Sequence, residues 1–152
     1  MKTRVYVDTS VVGGCEDEEF QEHSIRLMEC FVTGRYILVL SILTIQELAA
    51  APEEVRRRLS NVPEEYIETR QLDADARELA EAYISEGVIS GGMRADAQHI
   101  AMATVARADV LVSWNFKHIV NLHRIQGYNS VNLRRGYPIL EIRAPREVLL
   151  DE

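Results

Sequence analysis

The sequence predicts an α/β sandwich in which a parallel sheet is covered by helices on both faces. Short apolar runs that are typical of strands alternate with longer segments whose apolar residues recur at helical spacing. Two of the runs, residues 36–40 and 110–113, are apolar without alternation, as expected of strands buried on both faces. Strands that alternate with helices are joined by crossover connections, which make the sheet parallel.

Five segments are predicted to form the strands: residues 3–7, 36–40, 66–70, 110–113 and 137–142. The last of them is predicted to lie at an edge of the sheet, because Pro138 has no N–H group to donate to a neighbouring strand.

Helices are predicted at residues 18–33, from about Leu43, after Pro52, after Asp73 and at residues 93–107. Asp73 is expected to cap its helix through the side chain, and residues 87–92, bounded by two glycines, are expected to form a loop.

Length and composition indicate one domain that spans residues 1–152. Hydrophobic residues make up 47% of the chain, and this share is typical of a globular protein. Cys15 and Cys30 are expected to be free thiols, with Cys30 buried on a helix, since their spacing matches no common zinc motif. The sequence has no apolar stretch long enough to span a membrane and no signal-peptide core, so a cytosolic location is expected.

The net charge of −7 argues against a protein that grips nucleic acid through a broad basic surface. It is compatible with an enzyme that meets phosphate groups through a bound metal ion. A local basic face is expected near the C-terminus, because residues 117–146 contain six basic residues and one acid.

Three acids stand where predicted elements should bring them together at one edge of the sheet. Asp8 ends the first strand, Glu47 lies just past the second, and Asp96 opens the helix that leads into the 110–113 strand. Ligands bind outside the carboxyl ends of the strands in an open parallel sheet. Acids gathered at that edge indicate a divalent-metal site. Thr9 and Ser10 add hydroxyls that can orient a carboxylate or a metal-bound water.

Each acid also has a structural interpretation. Asp8 could cap the turn that follows it. Glu47 could belong to a capping box with Thr44, in which the acid reaches back to the helix start. Asp96 is favoured near a helix N-terminus by the helix dipole.

The residues after the 110–113 strand are ambiguous. Asn115 could end the strand or cap a short helix, and its amide oxygen could also bind a hard cation. Trp114 could stack on a base, although core packing is the expected role. Asp109 is interpreted as a turn residue that binds local amides. His99 follows Asp96 by one helical turn and could contact the substrate or a ligand, whereas His118 and His123 are expected to pack or lie on the surface.

Three segments, "VYVDTSVVGG", "SILTIQEL" and "RADAQHIAMATVARADVLVSWNFKHI", resemble the PIN domains, in particular the VapC-type toxins of prokaryotic toxin–antitoxin pairs. The last segment carries the most specific pattern. This resemblance implies a Rossmann-like three-layer sandwich with a mostly parallel central sheet. It also implies a metal-dependent ribonuclease that forms a homodimer and is held inactive by a cognate antitoxin.

Carried onto this sequence, the resemblance makes Asp8 and Asp96 direct ligands of Mg²⁺ or Mn²⁺. Glu47 becomes the third acid, which often acts through water, and Ser10 becomes the polar residue that supports the first acid. Asn115 occupies the position of a fourth acid. The charge missing at Asn115 favours one bound cation over two.

The leading hypothesis is therefore hydrolysis of RNA phosphodiester bonds. A second hypothesis is a degenerate, non-catalytic PIN module that binds RNA or a partner protein. A third, a phosphotransfer protein with Asp8 as the acceptor, is disfavoured because Ser10 stands where one such family requires a second acid. The helices predicted around residues 18–33 and 43–60 offer surface for a second copy or an antitoxin segment.

Overall fold

The computed structural model describes residues 1–149. Its five-stranded sheet consists of β1 Thr3–Val7, β2 Tyr36–Ser41, β3 Ile67–Arg70, β4 Val110–Val112 and β5 Ile142–Arg143. The strands lie in the order β3-β2-β1-β4-β5, and every neighbouring pair is parallel. The predicted parallel sheet is confirmed, and the last strand lies at an edge as expected.

Eight α-helices connect or flank these strands within residues 1–149. They are α1 Thr9–Gly14, α2 Gln21–Val32, α3 Ile42–Leu48, α4 Glu53–Ser60, α5 Ala74–Ser85, α6 Arg94–Val105, α7 Leu122–Arg134 and α8 Pro145–Leu149. Single turns of 3-10 helix occur at Glu64–Tyr66 and Gly91–Met93. Within the same residues, no helix combines the length and the apolar character needed to cross a membrane.

Alternating residues of the strands pack into separate cores on the two faces of the sheet. Val5 and Val7 of β1 face a cluster that contains residues of α1, α2 and α4. Tyr6, between them, faces a second cluster that contains residues of α5, α6 and α7. This arrangement is the three-layer α/β sandwich that the sequence predicts.

The strand order places a switch point between β1 and β4. The chain moves outward from β1 through β2 to β3 and then returns to pair β4 with the free side of β1. Val7 is paired with Val112, so the next residues, Asp8 and Ser113, leave the sheet side by side. A crevice at such a switch point is the usual ligand site of open α/β sheets.

Several local predictions are confirmed. Asp73 caps α5, since its Oδ1 accepts from the backbone N of Ala76 at 2.9 Å. Cys15 and Cys30 are buried free thiols. Trp114 belongs to the core, where its ring stacks on Phe20 with 4.4 Å between centroids.

The capping box predicted at Thr44 and Glu47 is wrong. β2 runs directly into α3, so the helix begins one residue after the strand ends, and Ser41 is its N-cap. The Ser41 hydroxyl accepts from the backbone N of Thr44 at 3.2 Å. The carboxylate of Glu47 is bound by side chains from other elements instead.

Two helices were not predicted from the residues, and one strand is shorter than predicted. Helix α1 was not predicted, because its sequence "TSVVGG" is rich in poor helix formers; burial of Val11 and Val12 stabilises it instead. Helix α7 was not placed from the residues, since its buried positions are few and include Asn132. The strand predicted at residues 137–142 contains only Ile142–Arg143.

Candidate active site

Asp8 lies at the switch point with both carboxylate oxygens hydrogen-bonded. Its side chain is 5% exposed. Ser10 Oγ donates to Oδ1 at 2.6 Å, and Ser113 Oγ donates to Oδ2 at 2.7 Å. Asp8 is the N-cap residue of α1, yet its side chain makes no capping hydrogen bond. The turn-capping interpretation of this carboxylate is therefore excluded.

The two serines are themselves oriented by the loop after β4. The backbone N of Trp114 donates to Ser10 Oγ at 3.0 Å, and that of Asn115 donates to Ser113 Oγ at 2.9 Å. A backbone N–H can only donate, so each hydroxyl proton is left to point at Asp8. Sequence reasoning identified Ser10 but missed Ser113, although Ser113 follows a buried strand directly.

Glu47, on α3, receives donors from two other elements. Thr9 Oγ1 donates to Oε1, and His99 Nε2 lies 2.8 Å from the same oxygen. The pKa of Glu47 is lowered, chiefly by the hydrogen bond from His99 and further by Thr9, against a smaller opposing effect of burial. Glu47 is therefore an anion held in place from one side.

Asp96 lies in the first turn of α6, and Asn115 bonds to it. Asn115 Nδ2 donates to Asp96 Oδ2 at 3.3 Å. Burial raises the pKa of Asp96, while the charges of His99 and His118 and the Asn115 bond oppose that rise. The bond from Asn115 ties this carboxylate to the loop that follows β4.

The amide of Asn115 has a fixed orientation. Its Oδ1 accepts from the backbone N of His118 at 2.9 Å, which confirms the capping interpretation, although residues 116–119 form a turn and not a helix. Since the His118 N–H can only donate, the amide N–H₂ must face Asp96. Asn115 thus supplies a hydrogen-bond donor to the neighbouring acid, whereas one of its possible roles in the sequence was to bind a cation through the amide oxygen.

We call Asp8, Glu47 and Asp96 the acid site. Burial raises the pKa of Asp8, and repulsion from Asp96 adds to that rise, while His99, Ser10 and Ser113 oppose it. Repulsion from Glu47 likewise raises the pKa of Asp96. Asp96 therefore lies within electrostatic reach of both Asp8 and Glu47.

The donor chemistry of the acid site suits a hard divalent cation. All three candidate ligands are carboxylates, and Mg²⁺ binds through one or two carboxylates while it retains waters. Among residues 1–149, no group of three or more His, Cys, Asp or Glu side chains is placed to hold a metal ion. A cation held by two carboxylates and retained waters, with Glu47 acting through one of those waters, needs no such group.

The remaining candidates have structural roles. Asp109 Oδ2 accepts from the backbone N of Arg4 at 2.8 Å, so the amide that it binds lies in β1. The prediction that Asp109 binds amides of its own turn is wrong for this bond. Arg124, part of the expected basic face, donates to the carbonyl oxygens of Val88 and Lys117. His123 is exposed, and His118 is half-buried.

No family model and no curated protein matches this sequence, but solved structures match its fold. VapBC2 from Rickettsia felis, bound to a DNA fragment from its promoter, gives a TM-score of 0.57 at 14% identity, over 93% of this chain and 98% of that chain. DNA-bound VapBC from Salmonella typhimurium gives 0.55 at 17% identity, over 94% and 98%.

A third match is VapC20 of Mycobacterium tuberculosis, a toxin that cleaves the sarcin-ricin loop. Its TM-score is 0.55 at 12% identity, over 75% of this chain and 92% of that chain. This chain has the PIN-domain fold. At such low sequence identities, the likeness shows that these proteins share the layers and the sheet of the PIN fold. The chemistry of this chain depends on its own acid site.

Proposed function

We propose that this PIN-fold protein is a metal-dependent endoribonuclease that hydrolyses RNA phosphodiester bonds as the toxin of a toxin–antitoxin pair. The observation that carries the proposal is the convergence of three acids from β1, α3 and α6 at the switch point. Their hydrogen-bond donors are hydroxyls, an amide and an imidazole. The hydroxyls and the amide do not cancel the charge of a carboxylate as a guanidinium would, so the acid site favours a cation.

Asp8 and Asp96 would hold Mg²⁺ or Mn²⁺ directly, and Glu47 would hold it through water. A bound divalent cation polarises a phosphodiester and lowers the pKa of an attacking water. The protein's own contribution is to fix the carboxylates. Because Asn115 presents an N–H₂ group to Asp96, it favours a single resident cation.

Each acid has a dedicated supporting group. Ser10, the predicted supporting residue, and Ser113 hold the two oxygens of Asp8. Thr9 and His99 hold Glu47. Such outer contacts typically change metal affinity or activity by roughly 10–100-fold when they are removed.

The structural neighbours support an RNA target and an antitoxin partner. The M. tuberculosis neighbour cleaves the sarcin-ricin loop, and another neighbour, from Klebsiella pneumoniae, is a toxin–antitoxin complex. On this chain, Val32 of α2 and Ile45 of α3 are 38% exposed and provide apolar surface for an antitoxin segment or a second copy. A homodimer is expected, and light scattering that detects only monomer at high concentration would argue against it.

The proposal is tested by RNA cleavage with and without Mg²⁺ or Mn²⁺, in the wild type and in Asp96→Asn. Cleavage should require the metal and fall in the variant by more than the roughly 100-fold expected of an outer contact. Asp75→Asn is the matched control, because Asp75 is an exposed acid in the first turn of α5. Undiminished cleavage by Asp96→Asn would refute the site.

The binding-module hypothesis is the second candidate, and the orientation of Asn115 favours it, since the fourth acid is replaced by a donor. RNA binding by folded, antitoxin-free protein, without metal-dependent cleavage of several RNAs, would select this alternative.

A further inference from the structure

A chain of buried polar groups runs from the core to the acid site. Tyr6, on β1, is fully buried, and its hydroxyl lies 2.8 Å from Ser41 Oγ and 2.6 Å from His99 Nδ1. His99, on α6, is 3% exposed, and its Nε2 lies 2.8 Å from Glu47 Oε1. Four elements of the fold, β1, β2, α3 and α6, thus meet in one continuous line of hydrogen bonds that ends on a candidate ligand.

The position of the protons in this chain follows from what each group can do. Glu47 is an anion and can only accept, so His99 Nε2 must carry a proton. A tyrosine hydroxyl can donate or accept. With Tyr6 donating to Ser41 Oγ, Nδ1 donates to Tyr6 and the imidazole is charged. If the imidazole is neutral, the Tyr6 hydroxyl turns its one proton from Ser41 to Nδ1. The proton on Nε2 is kept in both cases.

We propose that Tyr6 is a positioning residue for the acid site. Tyr6 acts through His99, and its effect is to maintain the hydrogen bond between His99 and Glu47 Oε1. This inference rests on the proposed metal-binding role of Glu47. Thr9 donates to the same Oε1, so neither hydrogen bond that Glu47 accepts within residues 1–149 goes to Oε2. Tyr6 therefore helps to present Oε2 toward the cation.

Burial favours the neutral, protonated form of the Tyr6 hydroxyl. Desolvation raises the pKa of Tyr6 far above its ordinary value, against smaller opposing hydrogen bonds, so the hydroxyl keeps its proton under working conditions. The apolar environment also fixes the ring, and substitution by phenylalanine removes one oxygen while it preserves the packing of the ring.

The experiment compares wild type with Tyr6→Phe, and its control is Tyr83→Phe. Tyr83 is also fully buried, belongs to the same core cluster, and donates its hydroxyl to Asn132 Oδ1 on α7 instead of to a group of the acid site. Two quantities are measured without RNA. One is the tautomer of the neutral His99 ring, from imidazole ¹⁵N shifts followed upward in pH until the ring has lost one proton. The other is the dissociation constant for Mn²⁺ by calorimetry.

In the wild type, the neutral His99 ring should carry its proton on Nε2 alone. Tyr6→Phe should give a mixture of tautomers and weaken Mn²⁺ binding roughly tenfold, as is typical for loss of an outer contact. Tyr83→Phe should change neither quantity. A wild-type ring protonated on Nδ1 would overturn the inference, even if Tyr6→Phe fails to fold. Unchanged Mn²⁺ affinity in folded Tyr6→Phe would overturn it too. Failure of the ribonuclease proposal alone would leave both measurements as expected and abolish only RNA cleavage.

Discussion

The two ends of helix α6 differ in the charge of the side chains that bind them. At the C-terminal end, the guanidinium of Arg4 donates to the carbonyl oxygens of Ala106 and Arg107 at 2.9 and 2.8 Å and forms an ion pair with Glu68. At the N-terminal end, Asp96 is met by the neutral amide of Asn115, and the N-cap residue Met93 provides no side-chain cap. The helix is closed by a cation at one end only.

The pKa shifts follow the same division. Burial tends to raise the pKa of Glu68, but its bonds with Arg4 and Arg70 outweigh this and lower it. For Asp96, burial prevails and the pKa is raised. A carboxylate satisfied by guanidinium groups contributes to stability, whereas a desolvated carboxylate without such a partner contributes to binding. We infer that the N-terminal end of α6 gives up stability for function, as functional sites commonly do.

The largest effect on stability is expected from Arg4→Met, which removes the cation at the C-terminal end of α6. The carbonyl oxygens of Ala106 and Arg107, just after the helix, and the carboxylate of Glu68 lose a charged donor. Hydrogen bonds to charged groups contribute roughly 1.5–3 kcal/mol each. Glu68 is a third exposed, so solvent screening reduces the sum. We expect the free energy of unfolding to fall by about 1–2 kcal/mol, measured by urea denaturation, with unchanged Mn²⁺ affinity.

The pH dependence of this variant sharpens the test. Because the folded-state pKa of Glu68 is depressed, its contribution is present above the ordinary value of 4.5 and is lost as the pH falls through the folded-state pKa. The difference between wild type and Arg4→Met should therefore shrink in acid. Arg57→Gln, which breaks an exposed pair with Glu53, serves as the control and should cost under about 0.5 kcal/mol.

Of the groups at the two ends of α6, the sequence predicted Asp96 but not Arg4. The helix itself follows from its periodic apolar residues, and Asp96 stands out as an acid at its start. Arg4 gives no such signal, because the carbonyl it caps lies 102 residues away in the chain. Local spacing predicts elements and their ends, whereas bonds between distant elements depend on strand order and register.

The same limit applies within the acid site. Asp8, Glu47 and Asp96 were predicted because each stands at the end of a recognisable element. Tyr6 was read only as an apolar strand residue, and its bond to His99 spans 93 positions. The orientation of Asn115 was equally hidden, since it depends on the backbone N of His118 in a turn for which the sequence left a short helix as one alternative.

A smaller effect is expected from Asn115→Asp, which makes the N-terminal end of α6 more acidic. The new carboxylate oxygen would replace an N–H₂ donor 3.3 Å from Asp96 Oδ2, so two like charges would face each other. Without metal, the variant should lose about 1 kcal/mol of stability, or about 2–4 °C in melting temperature. With Mn²⁺, its melting temperature should rise more than that of the wild type, and calorimetry should detect additional bound cation.

The matched control is Asn121→Asp at the N-cap of α7, where the side-chain oxygen accepts from the backbone N of Arg124 and an acid is equally suited. It should show neither the loss nor the metal response. A metal-free Asn115→Asp as stable as the wild type would mean that the Asn115 amide does not offset the charge of Asp96.

The smallest effect is expected from Arg107→Gly, which improves the C-terminal end of α6. Arg107 has φ +55°, the left-handed conformation that favours glycine, and follows the helix in a motif where the N of Ala108 bonds to the carbonyl of Ala103 at 3.0 Å. Relief of this strain, reduced by the greater flexibility of unfolded glycine, should add about 0.5 kcal/mol of stability. Arg4 bonds to the backbone carbonyl of Arg107, which glycine retains, so the variant keeps that bond and should leave Mn²⁺ affinity unchanged. A stabilised variant with altered Mn²⁺ affinity would show that the two ends of the helix are coupled, and the division between stability and binding would then fail.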